Sequence, residues 1–307
     1  MLIADFSPDE LTRQLATEGL RIKTGPFVFS ISSSLDPVCE GLYSLYEDFA
    51  IAPLESFADF HISVEKAKGL RRWVRPQSIF EFDGAVPFKP LAANQGFALL
   101  EWGMNWCIYN HAHAYLIIHG AVLERHGQAL LLPAPSGSGK STLCGALMSR
   151  GWRLLSDELI LLNPDDGLIY PLGRPISLKN RSIDVLRAFA PEHFISEPIH
   201  DTAKGSVAHM KPTQGSVMRS NEFAQPRWVI FPQYAKGINT QLTPIGKPDL
   251  CMRLIDNAFN YNIHGVQGFM SMTRMVSNMT AFTATYESLD EVIALIDKIT
   301  INSNDVA

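Results

Sequence analysis

Residues 128 to 151 read QALLLPAPSGSGKSTLCGALMSRG. The run from Gln128 to Leu132 is short and apolar, which is typical of a buried strand. A loop rich in proline, serine and glycine follows it. From Lys140 onward, leucine and alanine recur at helical spacing up to Gly151, which is expected to end the helix. The sequence therefore predicts a strand, a glycine-containing loop and a helix in succession.

The loop fits a phosphate-binding pattern. Residues 134 to 141 match G-x-x-x-x-G-K-[ST] except at the first position, where Ala134 replaces glycine. Gly137 and Gly139 lack a Cβ, so their backbone can adopt positive φ and approach a phosphate closely. The helix N-terminus adds a partial positive charge. The residues expected to bind the nucleotide, ATP or GTP, are Pro135, Ser136, Gly137, Ser138, Gly139, Lys140, Ser141 and Thr142.

Three of these residues have side chains suited to separate tasks. Lys140 carries a charge that can reach the β- and γ-phosphates, and Ser141 offers a hydroxyl to Mg²⁺. Thr142 is expected to assist at the α-phosphate. The alternative for the whole loop is a turn that only links a strand to a helix.

Two carboxylates follow the next predicted strand, Arg153 to Leu155. Asp157 and Glu158 suit two tasks in phosphoryl transfer, those of a Mg²⁺ ligand and of a general base for the acceptor hydroxyl. If both residues are extended, their side chains point to opposite faces and only one faces the phosphates; we favour Asp157. The candidate Mg²⁺ ligands are Ser141, Asp157 and Glu158. The alternative is a pair of acids at a solvated strand end.

A histidine lies on the strand predicted from Tyr115 to Leu123. A turn at residues 125 to 127 joins this strand to the one that enters the loop, so the two strands form a hairpin. His119 can therefore tune the base or contact the γ-phosphate. A single histidine on a strand is also a common structural group.

Residues 118–123, 135–141 and 153–158 together resemble the core of HPr kinase/phosphorylase, and more closely the HPr-kinase-related proteins of bacterial gene clusters. The resemblance implies a PEP-carboxykinase-like α/β fold, a Mg-nucleotide and a serine hydroxyl as phosphoryl acceptor. Carried over to this sequence, the family's functional residues fall on His119, Lys140, Ser141, Asp157 and Glu158.

The chain departs from HPr kinase in two respects. The sequence has no segment like the L-E-I-R-G-L-G signature of the phosphorylase half, so phosphorylase activity is not expected. Its N-terminal third does not match that enzyme's own N-terminal domain, so HPr is not the expected acceptor. The clear likeness spans Tyr115 to Leu162, with weaker likeness at residues 175 to 179 and 201 to 205.

The remaining pattern predicts two domains. Residues 21 to 33 and 58 to 64 alternate apolar and polar side chains, as half-buried strands do, and apolar residues recur at helical spacing near residues 96 to 114. We expect a smaller α+β N-terminal domain at residues 1–112 and an HPr-kinase-like P-loop kinase domain at residues 113–307.

Elements further along the chain complete the second domain. Trp228 to Phe231 is predicted to be a buried strand, and Leu250 to Phe259 and Leu289 to Ile299 are predicted to be helices.

Three further basic residues are candidates for binding substrate. The polar stretch at residues 201 to 206 is expected to be a mobile loop that closes over the phosphates, with Lys204 meeting the γ-phosphate. Arg174 and Lys179 are weaker candidates for gripping nucleotide or acceptor. An ordinary solvated surface explains these residues equally well.

Composition narrows the class of protein. The 307 residues are 46% hydrophobic and 19% charged with a formal net charge of −5, which fits a globular protein and argues against one that coats nucleic acid. Four scattered cysteines without a C-x-x-C pair favour free thiols over disulfides or zinc. The basic run is interpreted as a solvated strand or turn and consists of Lys66, Lys68, Arg71, Arg72 and Arg75.

The expected location is the cytoplasm. The first residues do not resemble a signal peptide, and no run reaches the roughly 20 apolar residues of a membrane-spanning helix.

These features predict a kinase that transfers the γ-phosphoryl group of ATP or GTP to a hydroxyl. The expected acceptor is a serine-like hydroxyl of a protein, peptide or small molecule. The alternative is a nucleotide-dependent regulatory module that binds a partner without phosphorylating it. The resemblance also makes a homo-oligomer an expectation.

Overall fold

The computed structural model describes residues 1–69, 74–135 and 137–301. Over these residues the chain is a mixed α/β protein, as predicted. Ser136, a predicted nucleotide-binding residue, lies outside the described residues, as do Arg71 and Arg72 of the basic run. None of the helices in the described part of the chain combines the length and hydropathy needed to cross a bilayer.

The helices include those that the sequence predicted near residues 96–114, 140–150, 250–259 and 289–299. The α-helices of the described residues are α1 (Pro8–Thr17), α2 (Asp36–Leu45), α3 (Gly96–His111), α4 (Lys140–Ser149), α5 (Arg181–Phe189), α6 (Gln214–Met218), α7 (Lys247–Asp256), α8 (Tyr261–Ser277) and α9 (Leu289–Ile301).

The strands include the predicted hairpin that leads into the loop, formed by β7 and β8. The strands of the described residues are β1 (Leu20–Thr24), β2 (Phe27–Ser33), β3 (Ile51–Ala52), β4 (Phe60–Lys66), β5 (Gln77–Phe82), β6 (Leu91–Ala92), β7 (Leu116–Arg125), β8 (Gln128–Pro133), β9 (Arg153–Ser156), β10 (Leu159–Leu162), β11 (Ile169–Tyr170), β12 (Ile176–Lys179), β13 (Ile199–Thr202), β14 (Gly205–Met210), β15 (Gln225–Tyr234), β16 (Gln241–Ile245) and β17 (Thr280–Tyr286).

The chain forms two compact units, neither of which is continuous in sequence. Unit 1 consists of Met1–His111, Leu172–Asp184 and Glu192–Asn221. Unit 2 consists of Ala112–Pro171, Val185–Pro191 and Glu222–Ala307. The functional division into domains at residues 1–112 and 113–307 stays a prediction.

Unit 2 is built on an eight-stranded sheet in the order β11-β10-β7-β8-β15-β17-β16, with β9 also paired to β7. β8, β15 and β17 run parallel to one another, whereas β7 is antiparallel to β8, β9 and β10. The carboxyl ends of parallel strands meet at one edge of a sheet, where α/β proteins commonly bind ligands. The predicted loop leaves β8 at that edge.

Helices cover both faces of this sheet, which explains the apolar sequence of its strands. Ile118 and Leu131 belong to a core that includes residues of α7 and α8. The alternate residues Leu130 and Leu132 are also fully buried, and α4 packs against β7, β8 and β9. Strands buried on both faces show continuous apolar runs in place of alternation.

Unit 1 contains a six-stranded sheet in the order β3-β1-β2-β4-β5-β6 and a three-stranded sheet in the order β12-β14-β13. Helices α1 and α3 pack on the larger sheet, and α2 packs against both of these helices. Every second residue of β1 and β2 is buried, so the predicted period-two pattern is confirmed here.

The prediction of a mobile loop at residues 201 to 206 is wrong. This stretch contains the end of β13, a tight turn and the start of β14, which pair as a hairpin. Thr202 Oγ1 accepts a hydrogen bond from the Lys204 N–H at 3.1 Å and donates one to the Gly205 carbonyl at 2.6 Å. Local hydrogen bonds of this kind specify a turn that composition alone does not reveal.

Glu124→Gln is expected to destabilise unit 2 by about 3–5 kcal/mol, since removing one partner of a buried ion pair leaves the other charge buried. Arg153 Nε donates to Glu124 Oε2, and both side chains are buried. The matched control is Asp290→Asn, because Asp290 and Arg150 form an exposed pair at 3.3 Å that is worth about 0–1 kcal/mol. Chemical denaturation measures both changes, and equal losses would contradict the expectation.

His209→Gln is expected to flatten the pH dependence of stability in acid. Burial, followed by the charges of Arg174 and Lys179, lowers the pKa of His209 to about 3 from 6.5. Between these two values the unfolded chain binds a proton that the folded chain does not, so His209 makes stability fall with decreasing pH by up to about 1.4 kcal/mol per pH unit. Denaturation from pH 7 to pH 4 measures the slope for both proteins. Identical slopes would show that folding does not lower the pKa of His209.

Candidate functional site

The predicted strand, loop and helix are present in unit 2. β8 ends at Pro133 and α4 begins at Lys140, and the loop between them contains Gly137 with φ 89° and Gly139 with φ 93°. No described side chain caps the N-terminus of α4, so the first amide groups of this helix have no side-chain acceptor among the described residues. A loop of this shape before a helix N-terminus can donate several N–H groups to an anion.

Lys140 is the buried charge of the site. Its side chain is 6% exposed, and its Nζ donates to the Asp157 carbonyl at 2.5 Å and lies 3.4 Å from Glu158 Oε2. Burial lowers the pKa of Lys140, but the carboxylates of Asp157 and Glu158 outweigh burial and raise this pKa above its ordinary value. The ammonium group is therefore charged throughout the neutral pH range.

Asp157 contacts the start of α4, and Glu158 contacts both the start of α4 and His119. Ser141 Oγ donates to Asp157 Oδ2 at 3.1 Å. Glu158 Oε2 lies 3.1 Å from His119 Nε2 and 3.4 Å from Lys140 Nζ. Residues 157 and 158 form the bend between β9 and β10 and are not extended, so the condition under which the two acids would point to opposite faces is not met. The choice of Asp157 as the acid that faces the phosphates stays a prediction.

His119 is held in place by the backbone of β7 and by a second chain segment. Its register partner on β10 is Leu159, and its N–H donates to the Asn257 carbonyl at 2.7 Å. Its ring lies against that of Phe259, with 5.6 Å between centroids. The imidazole is thus oriented toward Glu158 by packing as well as by hydrogen bonding.

The donor set fits Mg²⁺ and phosphate. The Ser141 hydroxyl and the Asp157 carboxylate are the hard oxygen ligands that Mg²⁺ prefers. Ser138 Oγ is buried without a hydrogen-bond partner among the described residues, so its O–H is available to donate to an acceptor bound at the loop. Thr142 follows in the first turn of α4 and is half-buried, whereas Pro135 is exposed.

Two tyrosines beside the loop were not predicted. The Tyr234 N–H donates to the Ser138 carbonyl at 3.3 Å, and the Tyr286 hydroxyl donates to the Gly139 carbonyl at 3.4 Å. They are register partners at the carboxyl ends of β15 and β17. The signal in the sequence that could have pointed to these tyrosines is an aromatic residue at the end of an apolar strand.

The three further basic candidates belong to unit 1. Arg174 is buried, with its Nη2 donating to Asn105 Oδ1 and its Nη1 3.8 Å from Glu101 Oε2. Lys204 Nζ lies 4.7 Å from the centre of the Trp102 ring. Lys179 ends β12, and its backbone N–H donates to Ser182 Oγ at 2.7 Å. A role for these residues with substrate stays a prediction.

Known proteins show two similarities to this chain. A family model described as "SynChlorMet cassette protein ScmC" matches residues 93–171, which contain the loop, the histidine and both acids. A solved structure, the HPr(Ser) kinase/phosphatase from Coxiella burnetii, is similar over 61% of this chain and 95% of that chain, with a TM-score of 0.29 and 12% sequence identity. A comparison with curated proteins finds no match. The role of each residue therefore rests on the geometry of the site itself.

Gly139→Ala is expected to destabilise the loop more than Gly137→Ala. Both positions have positive φ, which costs an alanine on the order of 1 kcal/mol. A Cβ at Gly139 would also lie 2.8 Å from the Tyr286 hydroxyl and 3.2 Å from Tyr234 Cβ, whereas one at Gly137 meets no described atom within 4 Å. Thermal unfolding of the two variants measures the difference. A Gly137 variant as unstable as the Gly139 variant would contradict this packing.

Proposed function

We propose that the chain is a kinase that transfers the γ-phosphoryl group of ATP or GTP to a hydroxyl of an acceptor. The observation that carries the proposal is the meeting of Lys140, Ser141, Asp157, Glu158 and His119 at the end of a glycine-containing loop. Phosphoryl transfer depends on positioning and on charge stabilisation, and this group supplies a buried cation, hard oxygen ligands and a base.

Lys140 and the loop bind the phosphates of the nucleotide. The raised pKa of Lys140 keeps its ammonium group charged, and the carboxylates next to it hold the group at the mouth of the loop. The N-terminus of α4 adds its partial positive charge.

Asp157 and Ser141 hold Mg²⁺, which when bound offsets the negative charge of the phosphates. The hydrogen bond between these two side chains supports this role, because it places the hydroxyl oxygen and the carboxylate side by side. On this proposal the metal belongs to Asp157, the acid that the sequence favours as the one facing the phosphates.

Glu158 is the general base, and His119 is its positioning residue. As the acceptor oxygen bonds to the γ-phosphorus, its proton passes to the Glu158 carboxylate and the bond from phosphorus to the β,γ-bridging oxygen breaks. The products are the phosphorylated acceptor and ADP or GDP. The contact of 3.1 Å with His119 Nε2 fixes the carboxylate in one orientation.

Glu158→Gln is expected to lower the rate of transfer by about 10²- to 10⁴-fold while leaving nucleotide affinity nearly unchanged, since a general base contributes by that factor. Asp157→Asn is expected to raise the Mg²⁺ concentration that gives half-maximal activity. Asp165→Asn, at an exposed position in the turn after β10, is the matched control and leaves both quantities unchanged.

The measurement uses γ-labelled ATP, a range of Mg²⁺ concentrations and a lysate of the natural host, with label followed into protein, peptide and small-molecule fractions. Full transfer activity in the Glu158 variant would remove the proposed base. Failure of the wild-type protein to bind nucleotide would remove the proposed function.

A second candidate function is a nucleotide-dependent module that binds a protein partner without phosphorylating it. An uncharged apolar surface on unit 2 favours a polypeptide with exposed apolar side chains as the partner, because monomeric proteins rarely expose contiguous apolar patches. Residues 257 to 273 contain no Asp, Glu, Lys or Arg. The exposed apolar side chains in this segment are those of Phe259, Ile263, Val266, Phe269 and Met270.

The same surface also suits a polypeptide acceptor, since Phe259 lies against His119. Partner binding that depends on nucleotide but yields no labelled product would favour the module. Label in a product that is lost in the Glu158 variant would favour the kinase.

A further inference from the structure

Tyr234 is an exposed aromatic residue fixed beside the nucleotide loop. It ends β15, its side chain is 46% exposed, and its N–H donates to the Ser138 carbonyl at 3.3 Å. Its Cβ lies 3.2 Å from the position that a Cβ on Gly139 would occupy. The backbone and Cβ of Tyr234 therefore lie directly against the loop, while much of the residue's surface remains open to solvent.

A second tyrosine holds that ring in place. Tyr286 packs edge-on against Tyr234, with 6.1 Å between centroids and an interplanar angle of 72°. Tyr286 itself is 1% exposed, and its hydroxyl donates to the Gly139 carbonyl at 3.4 Å. Because Tyr286 is buried and tied to the loop, the exposed ring of Tyr234 has a rigid support.

The order of the strands indicates on which side of the loop each end of a bound nucleotide lies. β8 enters the loop between β7 on one side and β15 on the other. His119 lies on β7, and the bend that carries Asp157 and Glu158 joins the two strands β9 and β10, both of which pair with β7. The reacting γ-phosphate belongs on that side, so the nucleoside extends toward the opposite side, where β15 and β17 end in Tyr234 and Tyr286.

We infer that the exposed ring of Tyr234 is the stacking surface for the base of the bound nucleoside triphosphate. The inference rests on the proposed nucleotide site and adds its second half, a subsite for an aromatic base. Stacking on a tyrosine ring is tolerant of base identity because every base has a π face, so this subsite accepts adenine and guanine alike.

The experiment compares two ligands that share a phosphate chain, Mg-ATP and Mg-tripolyphosphate, by isothermal titration calorimetry. Tyr234→Ala is expected to weaken ATP binding by about 5- to 150-fold, the range given by loss of one base–aromatic stack, with tripolyphosphate affinity unchanged. Tyr234→Phe keeps the ring and is the matched control, expected to bind both ligands like the wild-type protein. Thermal unfolding checks that both variants are folded.

Three results would overturn the inference, and they are distinguishable. Wild-type ATP affinity in Tyr234→Ala removes the stacking role. Equal loss of ATP and tripolyphosphate affinity assigns Tyr234 to the shape of the loop. Failure of the wild-type protein to bind either ligand removes the proposed nucleotide site together with its base subsite.

Discussion

The ammonium group of Lys140 lies almost entirely out of water, and a buried cation is stable only when acceptors and anions surround it. Those partners are the Asp157 carbonyl and the Glu158 carboxylate, which come from the bend between β9 and β10. Both strands pair with β7, and β7 pairs with the strand that leads into the loop. The order of the strands thus sets the position of the Lys140 ammonium group, and this charge in turn holds Asp157 and Glu158 in position.

Several opposing charges are balanced within a small volume. In the proposed function, the two carboxylates would repel the phosphates of a nucleotide, whereas Lys140, the N-terminus of α4 and a bound Mg²⁺ would attract them. Glu158 is shared between Lys140 and His119, so its orientation depends on both helix α4 and strand β7. A change in either element therefore alters the electrostatics of the site as well as its shape.

The sequence predicted the elements whose signals are local. The strand, loop and helix around Lys140 and the hairpin that carries His119 were predicted because turn residues and helical spacing act over a few positions. The pairing of His119 with Glu158 spans 39 positions and depends on which strands become neighbours, so no local pattern encodes it. The bend at Asp157 and Glu158 was not predicted, although only these two residues connect β9 to β10.

Other elements escaped prediction for physical reasons of their own. Apolar residues occupy both the buried and the exposed faces of α8, which removes the one-sided periodicity that marks a surface helix. The strands β13 and β12 have only four residues each, too few for alternation to stand out. Tyr234 was missed because its importance arises from the parallel pairing of β15 with β8, which joins parts of the chain far apart in sequence.

The interleaved sequence of the two units has a consequence for the order in which they form at the ribosome. Unit 1 begins with Met1–His111 but lacks β12, β13 and β14 until the chain has been made as far as Asn221. At ordinary elongation rates of about 5–20 residues per second, that delay lasts roughly 5 to 20 seconds. In unit 2, β8 likewise waits for its parallel partner β15, and β15 then waits for β17, so the nascent chain exposes unpaired strand edges during synthesis, when chaperones have time to bind them.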